Sequence, residues 1–108
     1  MFNTDPFYLS PRWKRLRAQI LRRDGYRCRI AARYGIARQA DTVHHIFPRN
    51  KFPQYEWEPW NLISVSRKAH MMLHDRNNNE LTAEGRALLF RTAAARGITI
   101  PPAQGSGL

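Results

Sequence analysis

Four histidines carry the chemistry of this 108-residue chain: the pair His44-His45, then His70 with His74 four residues on. The pattern predicts a helix over 67–76, on which His70 and His74 stand one turn apart. Both imidazoles then leave the same side, away from a core stripe of Ala69, Met72 and Leu73. Such a pair can hold one transition metal, because both ring nitrogens reach a point about 2.0–2.1 Å away. The plainer reading of the same spacing is two exposed polar residues. His44 and His45 fall in an alternating segment, 41–46, and neighbouring side chains of a strand point to opposite faces. The two rings cannot then serve one metal in the same way. Either one binds a metal while the other faces a substrate, or one is buried and hydrogen-bonded while the other is solvated.

Several elements must position these rings. Ser10-Pro11 opens a helix, the serine as cap and the proline at the first helical position. Trp13, Leu16, Ile20 and Leu21 form its apolar stripe over 11–23, and Asp24-Gly25 ends it. Tyr26 to Ile30 alternates and is expected as a strand, ahead of the one at 41–46. Residues 47–59 hold three prolines and several aromatics, and a loop of that length in a small domain is usually functional. Its aromatic part, Tyr55 to Trp60, is expected to pack beneath the site, and Met71 and Met72 to pack in the ordinary way. A short strand over 61–65 leads to the Ser66 cap of the histidine helix, and a last helix runs from the Thr82 cap to Gly97. Residues 1–97 read as one domain and 98–108 as a loose tail.

Eighteen Lys and Arg against eight Asp and Glu leave a net charge of +10, and fifteen of the eighteen are arginines. That balance favours a polyanionic partner, nucleic acid first and an anionic membrane second. No apolar run approaches the ~18 residues that cross a bilayer, and the first residues lack the pattern of a secretory signal. The single Cys28 excludes an internal disulfide and a four-cysteine zinc cage. The expectation is a soluble, cytoplasmic protein without a membrane partner.

The order of the letters narrows this further. Val43-His44-His45-Ile46, then Trp60-Asn61-Leu62-Ile63, then His70 resembles the HNH endonucleases. Upstream, Phe7-Tyr8-x-Ser10-x-x-Trp13-Lys14-x-Leu16-Arg17 and Leu21-x-Arg23-Asp24-Gly25-Tyr26-x-Cys28 are similar to the opening segment of phage-type members. The resemblance covers roughly residues 7–76. It implies an α+β fold: a small ββα-metal (His-Me finger) domain, a β-hairpin plus helix with flanking N- and C-terminal helices. It also implies a hydrolase that nicks or cuts double-stranded DNA, with one divalent ion (magnesium, manganese, zinc or nickel). Carried over by position, His45 is the general base, Asn61 the residue that orients it, and His44, His70 and His74 the metal ligands. Many relatives bind a structural zinc through two C-x-x-C pairs. Here the corresponding residues are Cys28-Arg29-Ile30-Ala31 and Ser66-Arg67-Lys68-Ala69, so no structural four-cysteine zinc is expected. Trp13, Trp60 and Val43 are candidates to hold the hairpin by apolar packing instead.

Arg12, Arg15, Arg22, Arg23, Arg49, Lys51, Arg67, Lys68 and Arg76 are the candidates for DNA phosphate contact, with weak sequence specificity. The family likeness suggests phage genome processing, with terminase as a partner. The alternative is a DNA-binding or packaging accessory of the same fold whose cleavage is vestigial.

Overall fold

Asp5 and Ser10 start the first two helices. This computed structural model describes residues 5–75, 77–78 and 80–100. Asp5 caps the single turn α1 (Pro6–Leu9), and Ser10 Oγ accepts from Trp13 N at 3.1 Å to cap α2 (Pro11–Arg23). Both ends of α2 lie where its sequence signals predict. It stops at Asp24, after which Gly25 and Tyr26 take positive φ (62° and 58°) and swing the chain away.

The alternation after Tyr26 does not make a strand. Arg27 forms one isolated bridge with Gln39, and Cys28 then caps a short helix, α3 (Arg29–Arg33), its Sγ 3.5 Å from Ala31 N. The buried pair is Cys28 and Ala31, a spacing of three. Over five residues a period of two and a helical turn bury overlapping positions, so the pattern alone could not separate them.

Two strands follow, β1 (Thr42–His45) and β2 (Leu62–Val65). They pair antiparallel from Thr42 opposite Val65 to His45 opposite Leu62. The connection between them holds 3₁₀ turns at Pro53–Tyr55 and Pro59–Asn61. Ser66 Oγ accepts from Ala69 N and starts α4 (Arg67–Leu73), completing the ββα unit. The helix ends three residues earlier than its periodicity suggests. Thr82 takes the carbonyls of Met72 and Leu73, and a Cβ at Gly85 would meet the Leu73 carbonyl. The chain therefore leaves extended through His74, and β3 (His74–Asp75) pairs with β4 (Glu80–Leu81). α5 (Ala83–Arg96) is capped by Thr82 and closed by Gly97 in the left-handed region (φ 69°).

Two apolar clusters sandwich the hairpin. α1 and α2 bring Trp13, Ile20 and Leu21 onto Val43 and Leu62, while α3, α4 and α5 gather Cys28, Phe47, Val65, Leu73 and Leu89 on the other face. Ile98 and Ile100 pack against this second cluster; beyond residue 100 the expected tail lies outside the described residues. Trp13 and Val43 are buried as expected and Trp60 is partly buried, but Met71 and Met72 are about half exposed and outside the core. α4 buries only Ala69 and Leu73.

One polar clamp ties α2 to the hairpin. Asp24 accepts from Ser64 N (3.0 Å) and from the Arg23 guanidinium, which also donates to the carbonyls of Pro59 and Leu62. Burial works to raise the Asp24 pKa, but the Arg23 and Ser64 hydrogen bonds outweigh it and hold the carboxyl below its ordinary value. A depressed folded pKa stabilises above the unfolded value of about 3.9 and stops doing so as pH falls through the folded one. Asp24→Asn is thus expected to lose on the order of 1–3 kcal/mol at neutral pH. In urea unfolding, the gap between variant and parent should close as pH falls below about 4.

A candidate active site along the first strand

The pleat of β1 sends its two histidines to opposite sides, as the alternation requires. His45, 7% exposed, shares the α2 face with Val43 and stacks on Trp13, with ring centroids 5.2 Å apart at 20°. Phe7 and Tyr8 of α1 close around it edge-on. Its Nε2 lies 3.1 Å from the Glu56 carbonyl. A carbonyl oxygen only accepts, so Nε2 carries the hydrogen and the lone pair is on Nδ1. Burial pushes the His45 pKa down to about 4, partly opposed by the Glu56 contact and reinforced by the charges of Arg49 and His70. The ring is therefore neutral at physiological pH and has one nitrogen able to take a proton.

His44 faces the other way, toward α4. It is 2% exposed, its ring centroid is 5.2 Å from that of His70, and its buried Nε2 has no hydrogen-bond partner among the described residues. Burial first, then the neighbouring His70, His74 and His45, hold its pKa well below the ordinary value. His70 is lowered by burial and by His74. His74 does not share the helix with His70 as expected. It caps α4 in extended conformation, yet its N–H still bonds to His70 O, and the two rings stay 6.1 Å apart at 25°. All four histidines line one cleft of about 870 Å³, together with Tyr8, Trp13 and Arg17.

Asn61 does not line that cleft. It is fully buried, accepts from Phe47 N at 2.7 Å, and donates to the carbonyls of Phe47 (3.2 Å) and Tyr55 (3.1 Å). The next carbonyl after Tyr55 is that of Glu56, which holds His45 Nε2. Asn61 therefore ties Phe47 to Tyr55, the residue before Glu56, from outside the cleft.

The side chains fit a divalent ion in donor chemistry. Neutral imidazoles suit transition metals. An imidazole nitrogen buried without a partner costs about 1–3 kcal/mol, and a metal contact would relieve it. Among the described residues, however, no three His, Cys, Asp or Glu side chains already stand as a metal-holding group.

No protein-family model matches the chain, and no curated protein matches it. Among solved structures, the HNH endonuclease of the deep-sea thermophilic bacteriophage GVE2, crystallised with manganese ion, is similar with a TM-score of 0.59 and 29% identity. The match covers 60% of this chain and 71% of that one. The HNH resemblance holds in the fold. The chain is a small α+β protein with an HNH-type ββα unit, and the likeness supports a nuclease function.

Around this cleft the cations divide by their partners. Arg49 lies over the Phe7 ring (3.7 Å) and pairs with Asp5 (2.8 Å) and Glu56 (3.3 Å); Lys51 pairs with Glu80 (2.9 Å). Arg23 belongs to the Asp24 clamp, and Arg12 lies over Trp57. Arg15, Arg22, Arg67 and Lys68 are exposed, while Arg76 lies outside the described residues. Sequence reasoning missed Arg17, which is half-buried in the cleft wall and donates from Nη2 to the Asp41 carbonyl at 2.6 Å. The signal was present: Arg17 is four residues after Trp13, one helical turn along the same face. Among the described residues, no helix is long and apolar enough to cross a membrane.

Proposed function

We propose that this chain is a metal-dependent HNH endonuclease hydrolysing phosphodiester bonds of DNA, with His45 as general base. The observation that carries the reading is the opposed placement of the two imidazoles of β1. One buried imidazole is locked as the Nε2–H tautomer with Nδ1 available, and its neighbour presents a partnerless nitrogen beside His70 in the same cleft. Water attacks phosphorus as Nδ1 of His45 takes its proton, and the bond to the 3′-oxygen breaks; that oxygen takes a proton from solvent, leaving a 5′-phosphate and a 3′-hydroxyl. Trp13 and the Glu56 carbonyl fix the ring plane during that transfer. His44 and His70, with His74 beside them, would hold the divalent ion, which when bound neutralises charge developing on the phosphate oxygens. The manganese of the GVE2 enzyme makes manganese the first ion to try, and the endonuclease likeness makes DNA the substrate class. Placing the reaction in genome packaging beside a terminase, in the host cytoplasm, extends the same reading.

Supercoiled plasmid incubated with the protein and manganese or magnesium is expected to become nicked or linear. Plasmid unchanged with every metal tried would reject the nuclease and leave the vestigial DNA-binding reading. His70→Ala should weaken manganese binding, measured by titration calorimetry, by more than about 10–100-fold. Unaltered affinity would remove His70 from the ligand set.

A further inference from the structure

The cleft follows β1 from Asp41 and Thr42 at its start to Pro48, Arg49 and Asn50 beyond its end. Its two ends differ in how their cations are satisfied. Past the end of β1, Arg49 is held by Asp5 and Glu56 and Lys51 by Glu80. At the start, backbone contacts bring four arginines together from distant parts of the chain. Arg17 bonds to the Asp41 carbonyl, and Arg27 bridges Gln39. Arg38 precedes Asp41 by three residues, its carbonyl accepting from Cys28 N. Arg67 is two residues after Val65, whose carbonyl accepts from Asp41 N.

Among the described residues, none of these four is in an ion pair, and Arg27, Arg38 and Arg67 are exposed. The stretch 25–40 holds four arginines and no Asp or Glu. Asp41, the carboxylate at this end, accepts from the Thr42 hydroxyl and forms no ion pair among the described residues. An arginine already neutralised by a carboxylate must break that contact to serve a phosphate, whereas an unpaired one displaces a counterion from DNA outright.

We propose that duplex DNA leaves the cleft over the Asp41 end alone, its phosphates held by Arg17, Arg27, Arg38 and Arg67, while the Arg49–Lys51 end adds no phosphate contact. This rests on the nuclease reading for the position of the reacting strand. It moves the duplex onto a surface of which the sequence singled out only Arg67, and away from Arg49 and Lys51.

The test is fluorescence anisotropy of the full chain with a labelled mixed-sequence duplex, in chelator, across about 50–200 mM salt. The Arg27→Gln/Arg38→Gln double variant should reduce the slope of log affinity against log salt by about 2, and Arg17→Gln by about 1. Lys51→Gln should keep the parent slope. The melting temperature of the Arg27→Gln/Arg38→Gln variant should stay at the parent value, since both side chains are exposed and hold no carboxylate, whereas Arg17→Gln also loses its bond to the Asp41 carbonyl. An unchanged slope in the double variant, or an equal loss in Lys51→Gln, overturns the proposal. Plasmid nicking by the unmodified protein separates the two claims. Nicking with unchanged slopes rejects the track and keeps the nuclease; arginine-dependent slopes without nicking do the reverse.

Discussion

His45→Ala is expected to cut DNA about 10²–10⁴-fold more slowly than the parent while binding duplex with nearly the same affinity, because general-base catalysis is typically worth that much. The ring is enclosed by Trp13, Phe7, Tyr8 and the Glu56 carbonyl, so it offers little surface to the DNA backbone. On the proposed mechanism its loss removes the proton acceptor but leaves the surface arginines in place. Removing an aromatic stack also lowers stability, so His45→Gln is the companion variant: it fills much of the space but lacks a basic ring nitrogen. Both variants should be slow. Single-turnover cleavage with saturating enzyme reads the chemical step, and anisotropy in chelator reads binding. Affinity falling in parallel with rate would show that His45 holds DNA instead of activating water. A His45→Gln protein cutting at the parent rate would end the general-base assignment.

Local signals placed the elements that local chemistry decides. Ser10-Pro11 and Asp24-Gly25 bound α2, and Thr82 and Gly97 bound α5, because a cap and a left-handed glycine act within one turn of the helix they end. The end of α4 is tertiary: Thr82, the cap of another helix, takes the carbonyls that would have continued it, and Gly85 lets that helix approach the Leu73 carbonyl. α3 was hidden because five alternating residues fit a strand as well as they fit a capped turn. The grouping of the histidines was legible through their order in the chain: the structure gathers the four rings in one cleft, with Asn61 buried outside it. The partners of the cations were not. Arg23, Arg49 and Lys51 meet partners 29 to 44 residues away, which no local pattern reveals. Arg17 required knowing that Trp13 faces the site.

Asn61→Ala should destabilise the protein more than loss of any exposed cation. Its amide satisfies the N–H and carbonyl of Phe47 and the carbonyl of Tyr55, all from a fully buried position. Alanine leaves those groups without partners, at about 1–3 kcal/mol each, although the three contributions share one loop and will not simply add. A fall in melting temperature of more than about 8 °C is expected, since 1 kcal/mol corresponds to about 4–8 °C in a domain of this size. The functional consequence runs through Tyr55 to the Glu56 carbonyl that sets the His45 tautomer. Asn61→Asp is the companion variant: its carboxyl keeps an acceptor for Phe47 N but has lost the N–H groups that serve Phe47 O and Tyr55 O. In nitrogen-15 spectra below the melting temperature, the parent His45 should show a protonated Nε2 and a lone pair on Nδ1. Asn61→Asp should show a mixture of tautomers, with cleavage slowed in step with the lost population. A variant that melts lower but keeps one tautomer would restrict Asn61 to holding the loop and leave the orientation of His45 to Trp13 and its aromatic neighbours.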